Sequence, residues 1–427
     1  MPNAHDKRTD GSPAVIFCQD GARLHYAIPI ALHRAGMLRG LYTEWYNDGS
    51  IRSRIALAYM RLLSPGNARR LSQRRSDDLA GVPIYSLSLT GPLWIIASRK
   101  FNRLWRFLSR LWWAPVVARG PMGRRRGDGI VCFGFLFSLL PVPYAAGLAS
   151  RGFTLVVDMP IAAMKESAHQ QRTALNRWPR WELPPKDLPV ESDGDPDVQA
   201  VDEFVAHWTC ASDYVQRSLV EVGIAPEKIS VIPYPVDVGD FSMVDRAGRS
   251  GPVVVGFVGQ VGLRKGAPWF LEAAKRLSGR PIRFVMVGPI AVSEMARREI
   301  AAHVELVGAV PRSEVRGWLE RFDILLFPST CEGSAGAVME AMATGLPIVT
   351  TPNSGTIVRD GVDGFIRPYE SPDELAACVD RLASDEKLRL EMGCSARRQA
   401  EANDIDAYSR AIADLMRRVA NNKTVRH

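Results

Sequence analysis

Short β-branched or apolar runs alternate with longer helical patterns along this chain, and they do so in two separate sets. That alternation restricts the fold to parallel sheets flanked by helices. In the first set Ala14-Val15-Ile16-Phe17 leads through Gly21 to a helix near Ile28 to Ala35. Ile130-Val131-Cys132-Phe133, Thr154-Leu155-Val156-Val157 and His207-Trp208-Thr209-Cys210 supply later strands. In the second set, strands are expected at Val253 to Val258, Phe284 to Val287, Val304 to Val307, Ile324 to Phe327 and Pro347 to Thr350. A chain of 427 residues with 46% apolar content can bury two such cores. The expectation is an α/β protein of two Rossmann-like domains facing across a cleft, 1–238 and 250–400. The hinge is expected between Pro233 and Gly251, where Pro-Tyr-Pro is followed by a polar stretch. A last helix at about 405–427, with Tyr408, Ile412, Leu415 and Val419 on one face, is expected to fold back onto the first domain.

Several classes are disfavoured. The six cysteines have neither C-x-x-C pairs nor metal-ligand spacing with histidine, so no disulfide framework and no metal site is expected. Residues 1–14 are polar and charged, unlike a secretory signal, which points to a cytoplasmic protein. The uncharged run Gly129 to Ser150 is long enough to cross a bilayer, but Pro141 and Pro143 split it, and it reads better as a buried strand followed by a helix. The net charge of +8 is uneven: from Leu79 to Gly127 there are nine Lys or Arg and no Asp or Glu. Within that stretch Arg99, Arg103, Arg106 and Arg110 share a helical face, with Trp94, Trp105, Trp112 and Trp113 interleaved. Residues 93–126 therefore look like an interfacial segment that could hold the protein peripherally on an anionic inner membrane face. A solvated helix packed on its own domain is the plainer alternative. No nucleic-acid module accompanies the charge, so nucleic acid is not an expected partner. The acidic run Pro184 to Asp197 reads as a surface loop.

The most informative stretch runs from Ile324 to Pro347 and reads as strand, loop, helix and stop. Gly333 and Gly336 let the loop bend closely around a ligand, and Gly345 with Pro347 ends the helix. A helix starting near Gly336 would aim its free N–H groups into the crevice at the carboxyl ends of the strands, where a diphosphate could be held. Glu332 precedes that helix and Glu340 lies on it. No capping box explains Glu340, because Ala337 stands three residues after Ser334. Paired carboxylates beside a phosphate site suit sugar hydroxyls, which they accept in charge-assisted hydrogen bonds. A second phosphate element follows an expected strand: Val258-Gly259-Gln260-Val261-Gly262-Leu263-Arg264-Lys265-Gly266. It lacks the G-x-G-x-x-G dinucleotide spacing, and Lys265 with Arg264 could neutralise a leaving diphosphate without a metal.

At these residues the chain resembles the family 4 glycosyltransferases, retaining enzymes of the GT-B fold marked by an E-x7-E acidic pair, which Glu332 and Glu340 match. The resemblance runs from Val253 to about Ser384, through Lys265-Gly266, Val287-Gly288-Pro289, Val307 to Pro311, Pro352 to Gly355 and Gly361 to Phe365. It implies that the C-terminal domain binds a nucleotide diphosphate sugar, UDP- or GDP-linked, with no further cofactor. Glu332 would hold the sugar near its C3 and C4 hydroxyls, Glu340 the ribose and Lys265 the diphosphate, while Val310 and Pro311 border the base. Gly262, Arg264, Gly333, Ser334, Ala335, Gly336 and Ala337 would complete the donor site. Gln260 stands where the family often has arginine, and Ala335-Gly336 where it commonly has phenylalanine-glycine.

The N-terminal half resembles the family loosely. Gly21, Ala22 and Arg23 stand where it has a glycine-rich loop on the acceptor side, and His25 and Asp158 are candidates to steer the acceptor hydroxyl. The expected activity is that of a hexosyltransferase moving a sugar with retention to a saccharide or lipid-linked acceptor in cell-envelope or exopolysaccharide glycan synthesis. The alternatives are a nucleotide-sugar epimerase or phosphorylase of the same fold, or a non-catalytic nucleotide-sugar-binding subunit.

Overall fold

The computed structural model of the protein describes residues 12–19, 22–87, 91–92, 120–123, 126–127, 129–135, 142–182 and 195–422. Gly21, most of the basic segment 93–126 and most of the acidic run 184–197 lie outside the described residues.

Two parallel sheets organise the chain. The first contains β1 (Ala14–Gln19), β2 (Leu38–Thr43), β3 (Ile84–Tyr85), β4 (Ile130–Phe135), β5 (Thr154–Met159), β6 (Val205–Cys210) and β7 (Ile229–Val231), in the order β3-β2-β1-β4-β5-β6-β7. The second contains β8 (Val253–Val258), β9 (Ile282–Val287), β10 (Glu305–Gly308), β11 (Ile324–Phe327), β12 (Ile348–Thr350) and β13 (Gly364–Ile366), in the order β10-β9-β8-β11-β12-β13. All five pairings of the second sheet are parallel. Both sheets reverse direction beside their first strand, between β1 and β4 and between β8 and β11. The carboxyl end of such a switch point is where α/β sheets bind ligands.

The strands form where β-branched and aromatic residues cluster, because a parallel sheet covered on both faces demands continuous apolar runs. β11 is fully buried, and β8 is buried from Val255 onward. Gly256 is required inside β8 because the Phe322 ring packs on it: a Cβ there would fall 2.0 Å from that ring. Within 129–150 the described residues form strand β4 and the helix Val142–Ala149, the strand and helix the sequence suggests. Among the described residues, no helix is long and apolar enough to cross a membrane.

Contacts divide the chain into two compact units. One comprises Met1–Asp158, Pro196–Thr209 and Tyr408–His427; the other comprises Met159–Asp195 and Cys210–Ala407. Residues 159–195, which the sequence places in the first half, thus group with the second sheet. Ala174 and Trp181 belong to its hydrophobic core, and the Trp178 ring meets Trp269 edge-on at 6.1 Å. Within the first unit Tyr408, Ile412, Leu415 and Val419 are buried, and the Ser409 hydroxyl donates to the Ala31 carbonyl at 2.8 Å.

Candidate functional site

The chemistry-bearing loops of the second unit leave the carboxyl ends of β8 and β11 at the switch point. The first, 259–266, is stitched to the end of β9 by Gly259 N–H to Val287 O (2.9 Å) and Val261 N–H to Pro289 O (2.8 Å). It ends at Gly266, whose φ of +83° suits glycine and starts the helix Ala267–Arg276. A side chain at Gly266 would also strike the Pro328 carbonyl at 1.9 Å, so the glycine is what lets the two loops touch. Thr330 N–H and the Ser329 hydroxyl both donate to Arg264 O, at 2.9 and 3.0 Å. The second loop is braced from its other side by Glu332 N–H to Asn353 O (2.9 Å) and Ala335 N–H to Ser354 O (3.2 Å). Gly333 is equally constrained: a Cβ there would lie 1.9 Å from Pro160 O, and its carbonyl accepts the Ser212 hydroxyl at 2.7 Å.

Glu332 is only 8% exposed. A buried carboxylate needs compensating charge, and two cations provide it: Lys265 Nζ at 2.8 Å and the Arg264 guanidinium. All these contacts, with a longer one from the Ser329 hydroxyl, fall on Oε1, and none among the described residues falls on Oε2. Burial holds the Lys265 pKa below the ordinary lysine value, against the pull of Glu332. Its ammonium also lies 5.1 Å from the centre of the Phe327 ring. Arg264 and Lys265, singled out from sequence, are therefore brought into direct contact with Glu332, far along the chain.

The helix Gly336–Ala343 starts where the sequence places it. Its first residue follows Ala335, and no side chain caps it. The N–H groups of Val338 and Met339 fold back to Ala335 O, which leaves those of Gly336 and Ala337 at the tip. Glu340 lies on this helix and is held by both guanidinium nitrogens of Arg312, one at 2.8 Å. That bidentate bond raises the Arg312 pKa. Val310, partly buried against the core, stands two residues before Arg312. Sequence reasoning missed Arg312; its position directly after the Val310-Pro311 turn was the available signal.

Glu182 was also missed, and nothing in its local sequence marks it. Its carboxylate accepts Leu263 N–H at 2.6 Å and would contact a Cβ at Gly262. With Gln171, Gln260, Gly262, Arg264 and Lys265 it lines a recess of ≈ 200 Å³. Burial pushes the Glu182 pKa up, over the opposing effects of the Leu263 amide and Arg264.

The residues singled out in the N-terminal half belong to the other unit. His25 is exposed in a left-handed turn where Leu24, His25 and Tyr26 have φ of 51°, 50° and 65°. Ala22 and Arg23 lead into that turn. Asp158 is buried at the end of β5 and accepts the Thr209 hydroxyl at 2.6 Å.

Comparison with known proteins bears on the same loops. Residues 252–385 match the family model of the Glycosyl transferases group 1, a span that contains Lys265, Arg312, Glu332 and Glu340. The amylovoran biosynthesis glycosyltransferase AmsK of Erwinia amylovora is 29% identical over 48% of this chain and 54% of its own. A putative colanic acid biosynthesis glycosyltransferase, WcaL of Salmonella typhimurium, is 28% identical over 49% and 55%. The chain thus spans about half the length of the curated relatives it matches. Among solved structures, Anabaena Alr3699/HepE in complex with UDP and glucose covers 95% of this chain and 99% of its own, with a TM-score of 0.59 and 16% identity. At that identity the likeness is one of fold, and it makes the two Rossmann-like sheets those of the GT-B architecture.

Proposed function

We propose that this protein is a hexosyltransferase that moves a sugar, with retention, from a UDP- or GDP-linked donor to a saccharide or lipid-linked acceptor in cell-envelope or exopolysaccharide synthesis. The observation that carries the reading is Glu332, a buried carboxylate whose Oε1 takes two cations while Oε2 remains for hydroxyl donors. The match to group 1 glycosyltransferases and the names of the polysaccharide-synthesis relatives support it. In this reading the diphosphate lies against the Gly336 and Ala337 amides and the Lys265 ammonium. As the bond from the sugar to the β-phosphate breaks, Lys265 neutralises the charge that develops there; no metal or further cofactor is required. The buried setting of that ammonium, beside the Phe327 ring, strengthens the attraction over its value in water. Glu332 orients the sugar through its hydroxyls, Glu340 takes the ribose, Val310 borders the base, and the acceptor hydroxyl attacks from the face the diphosphate leaves. His25 and Asp158, with Gly21, Ala22 and Arg23, serve the acceptor, and the basic segment 93–126 holds the protein peripherally on an anionic membrane face.

Incubation with radiolabelled UDP- and GDP-sugars and a chemically defined acceptor tests the reaction, and NMR of the product reads the anomeric configuration. Isomerisation of the donor without acceptor would reveal an epimerase instead. Nucleotide binding without any turnover would reveal a binding subunit.

A further inference from the structure

The helix Ile51–Leu63 carries two apolar faces, and only one is used by the fold. Ser53, Ala56, Leu57 and Met60 are buried, and Leu57 and Met60 join Trp45, Ala68 and Leu71 in a small core with the following helix, Pro65–Ser72. On the opposite side Ile51, Ile55, Ala58 and Leu62 form a stripe at helical spacing i, i+4, i+7, i+11. Ile51 is 74% exposed, Ile55 53%, Leu62 87% and the adjoining Leu63 64%. Half of the large exposed apolar side chains identified among the described residues thus sit on this one helix. Arg54 and Arg61 flank the stripe on one side and Arg52 on the other, and Ile51, Arg54, Ile55 and Arg61 edge a shallow groove along it.

The charge around the stripe has a single sign. Between residues 49 and 76 there are seven arginines and no aspartate or glutamate. Arg74 pairs with Glu44 and Arg75 with Asp77, while Asp48 is taken up by Ser50 N–H and the Ser53 hydroxyl at the helix start. Arg52, Arg54, Arg61, Arg69 and Arg70 form no ion pair with any described residue. A soluble surface has no reason to combine so much exposed aliphatic area with so many uncompensated cations on one face. We infer that this helix and the one after it form a docking surface for an anionic phospholipid bilayer. The isoleucines and leucines enter the boundary between head groups and acyl chains, and the arginines lie among the phosphates. A second copy of the chain is a poor occupant, because the face would bring five unpaired arginines against five others. The surface is built from residues other than those of the donor loops and of segment 93–126, and the inference stands whether or not the protein transfers a sugar.

Flotation of the full-length protein with phosphatidylcholine vesicles, and with vesicles partly of phosphatidylglycerol, tests the surface. The wild type should float with the anionic vesicles, less well as salt rises, and poorly with the zwitterionic ones. Ile55→Ser with Leu62→Ser should weaken binding about ten-fold or more. Arg54→Gln with Arg61→Gln should weaken it by several-fold and lessen its salt dependence. Val362→Ser, which removes an exposed apolar side chain elsewhere, should bind like the wild type. All these side chains are outside the core, so thermal midpoints should stay level, and turnover of a water-soluble acceptor by Ile55→Ser with Leu62→Ser should equal that of the wild type. Equal flotation of this double variant and the wild type would overturn the inference and would place any membrane contact elsewhere, for example in 93–126. A monomer–dimer equilibrium abolished by Leu62→Ser, or binding to an acidic protein in place of vesicles, would overturn it as well.

Discussion

The loops that follow β1 and β8 occupy equivalent places, each after the first strand of its sheet and beside the reversal of strand order, yet they are built oppositely. After β8 the backbone is relaxed by glycines at 259, 262 and 266, bonded to the neighbouring strand and loaded with charge through Arg264 and Lys265. After β1 three successive non-glycine residues hold left-handed conformations, at a cost of order 1–3 kcal/mol each, and His25 there is exposed. Pairs of opposite charge give the first loop its geometry, whereas the second keeps strain that the surrounding structure must hold. The difference fits the proposal that one unit holds the diphosphate and the other the acceptor.

The most severe way to break the comparison is to remove charge from the loop after β8. Lys265→Ala should lower turnover about 10²–10³-fold, the range for removing one preorganised partner of developing charge. Glu332→Gln should cost somewhat less, since the amide oxygen still faces the two cations and the amide nitrogen can still donate to a sugar hydroxyl oxygen. Steady-state kinetics would read both, and unchanged turnover in either would end the assignment of the site formed by the loops after β8 and β11. Next in size is Arg312→Ala. It frees Glu340 from its bidentate partner, and KM for the donor should rise about ten-fold with kcat nearly unchanged, the signature of lost uniform binding.

Glu182→Gln should act in the opposite direction. It removes a negative charge from the recess that Arg264 and Lys265 line while keeping an acceptor for Leu263 N–H, so a nucleoside diphosphate should bind a few-fold more tightly. The pH dependence follows from the raised Glu182 pKa. Below that pKa the group is neutral, so wild-type affinity should gain on falling pH relative to the variant; above it the repulsion is fully present. Calorimetric titrations of both proteins across the acidic range would show the two curves converging at low pH. If Glu182→Gln instead binds more weakly at every pH, the carboxylate shapes the loop and does not compete with the ligand.

The smallest effect concerns the turn after β1. His25→Gly should relieve one left-handed residue and stabilise the fold by up to about 1 kcal/mol, read by denaturant unfolding, because the side chain is exposed and little packing is lost. If His25 serves the acceptor, turnover should fall in the same variant. Unchanged stability and unchanged turnover together would dissolve the contrast between the two loops.

Most of the second sheet was legible in the sequence. β8 and β11 fall on the expected residues because uninterrupted β-branched and apolar runs leave no other period to fit. β2, β3, β7 and β13 were not foreseen; β3 is only two residues. β2 carries Arg39 and Gly40 within it, and β7 and β13 are three residues each, held by pairing that no local pattern records. The grouping of 159–195 with the second sheet was equally hidden, since it depends on Trp178 and Trp181 meeting Trp269 and its neighbours far along the chain. At the candidate site, glycine spacing and unexplained acids pointed to Lys265, Glu332 and Glu340. Their actual partners, Arg264 through the same carboxylate oxygen and Arg312 through a bidentate bond, are facts of tertiary structure. Glu182 could not have been read from sequence at all, because its role depends on the backbone amide it meets 81 residues away.

The central claim is that the loops after β8 and β11 together grip a diphosphate. Titrating UDP and GDP into the wild type, Lys265→Ala and His25→Gly by calorimetry tests it most directly. The account predicts saturable binding of at least one nucleotide, weakened ten-fold or more by Lys265→Ala and unaltered by His25→Gly. Binding that ignores the loss of Lys265, or no binding of either nucleotide, would contradict it.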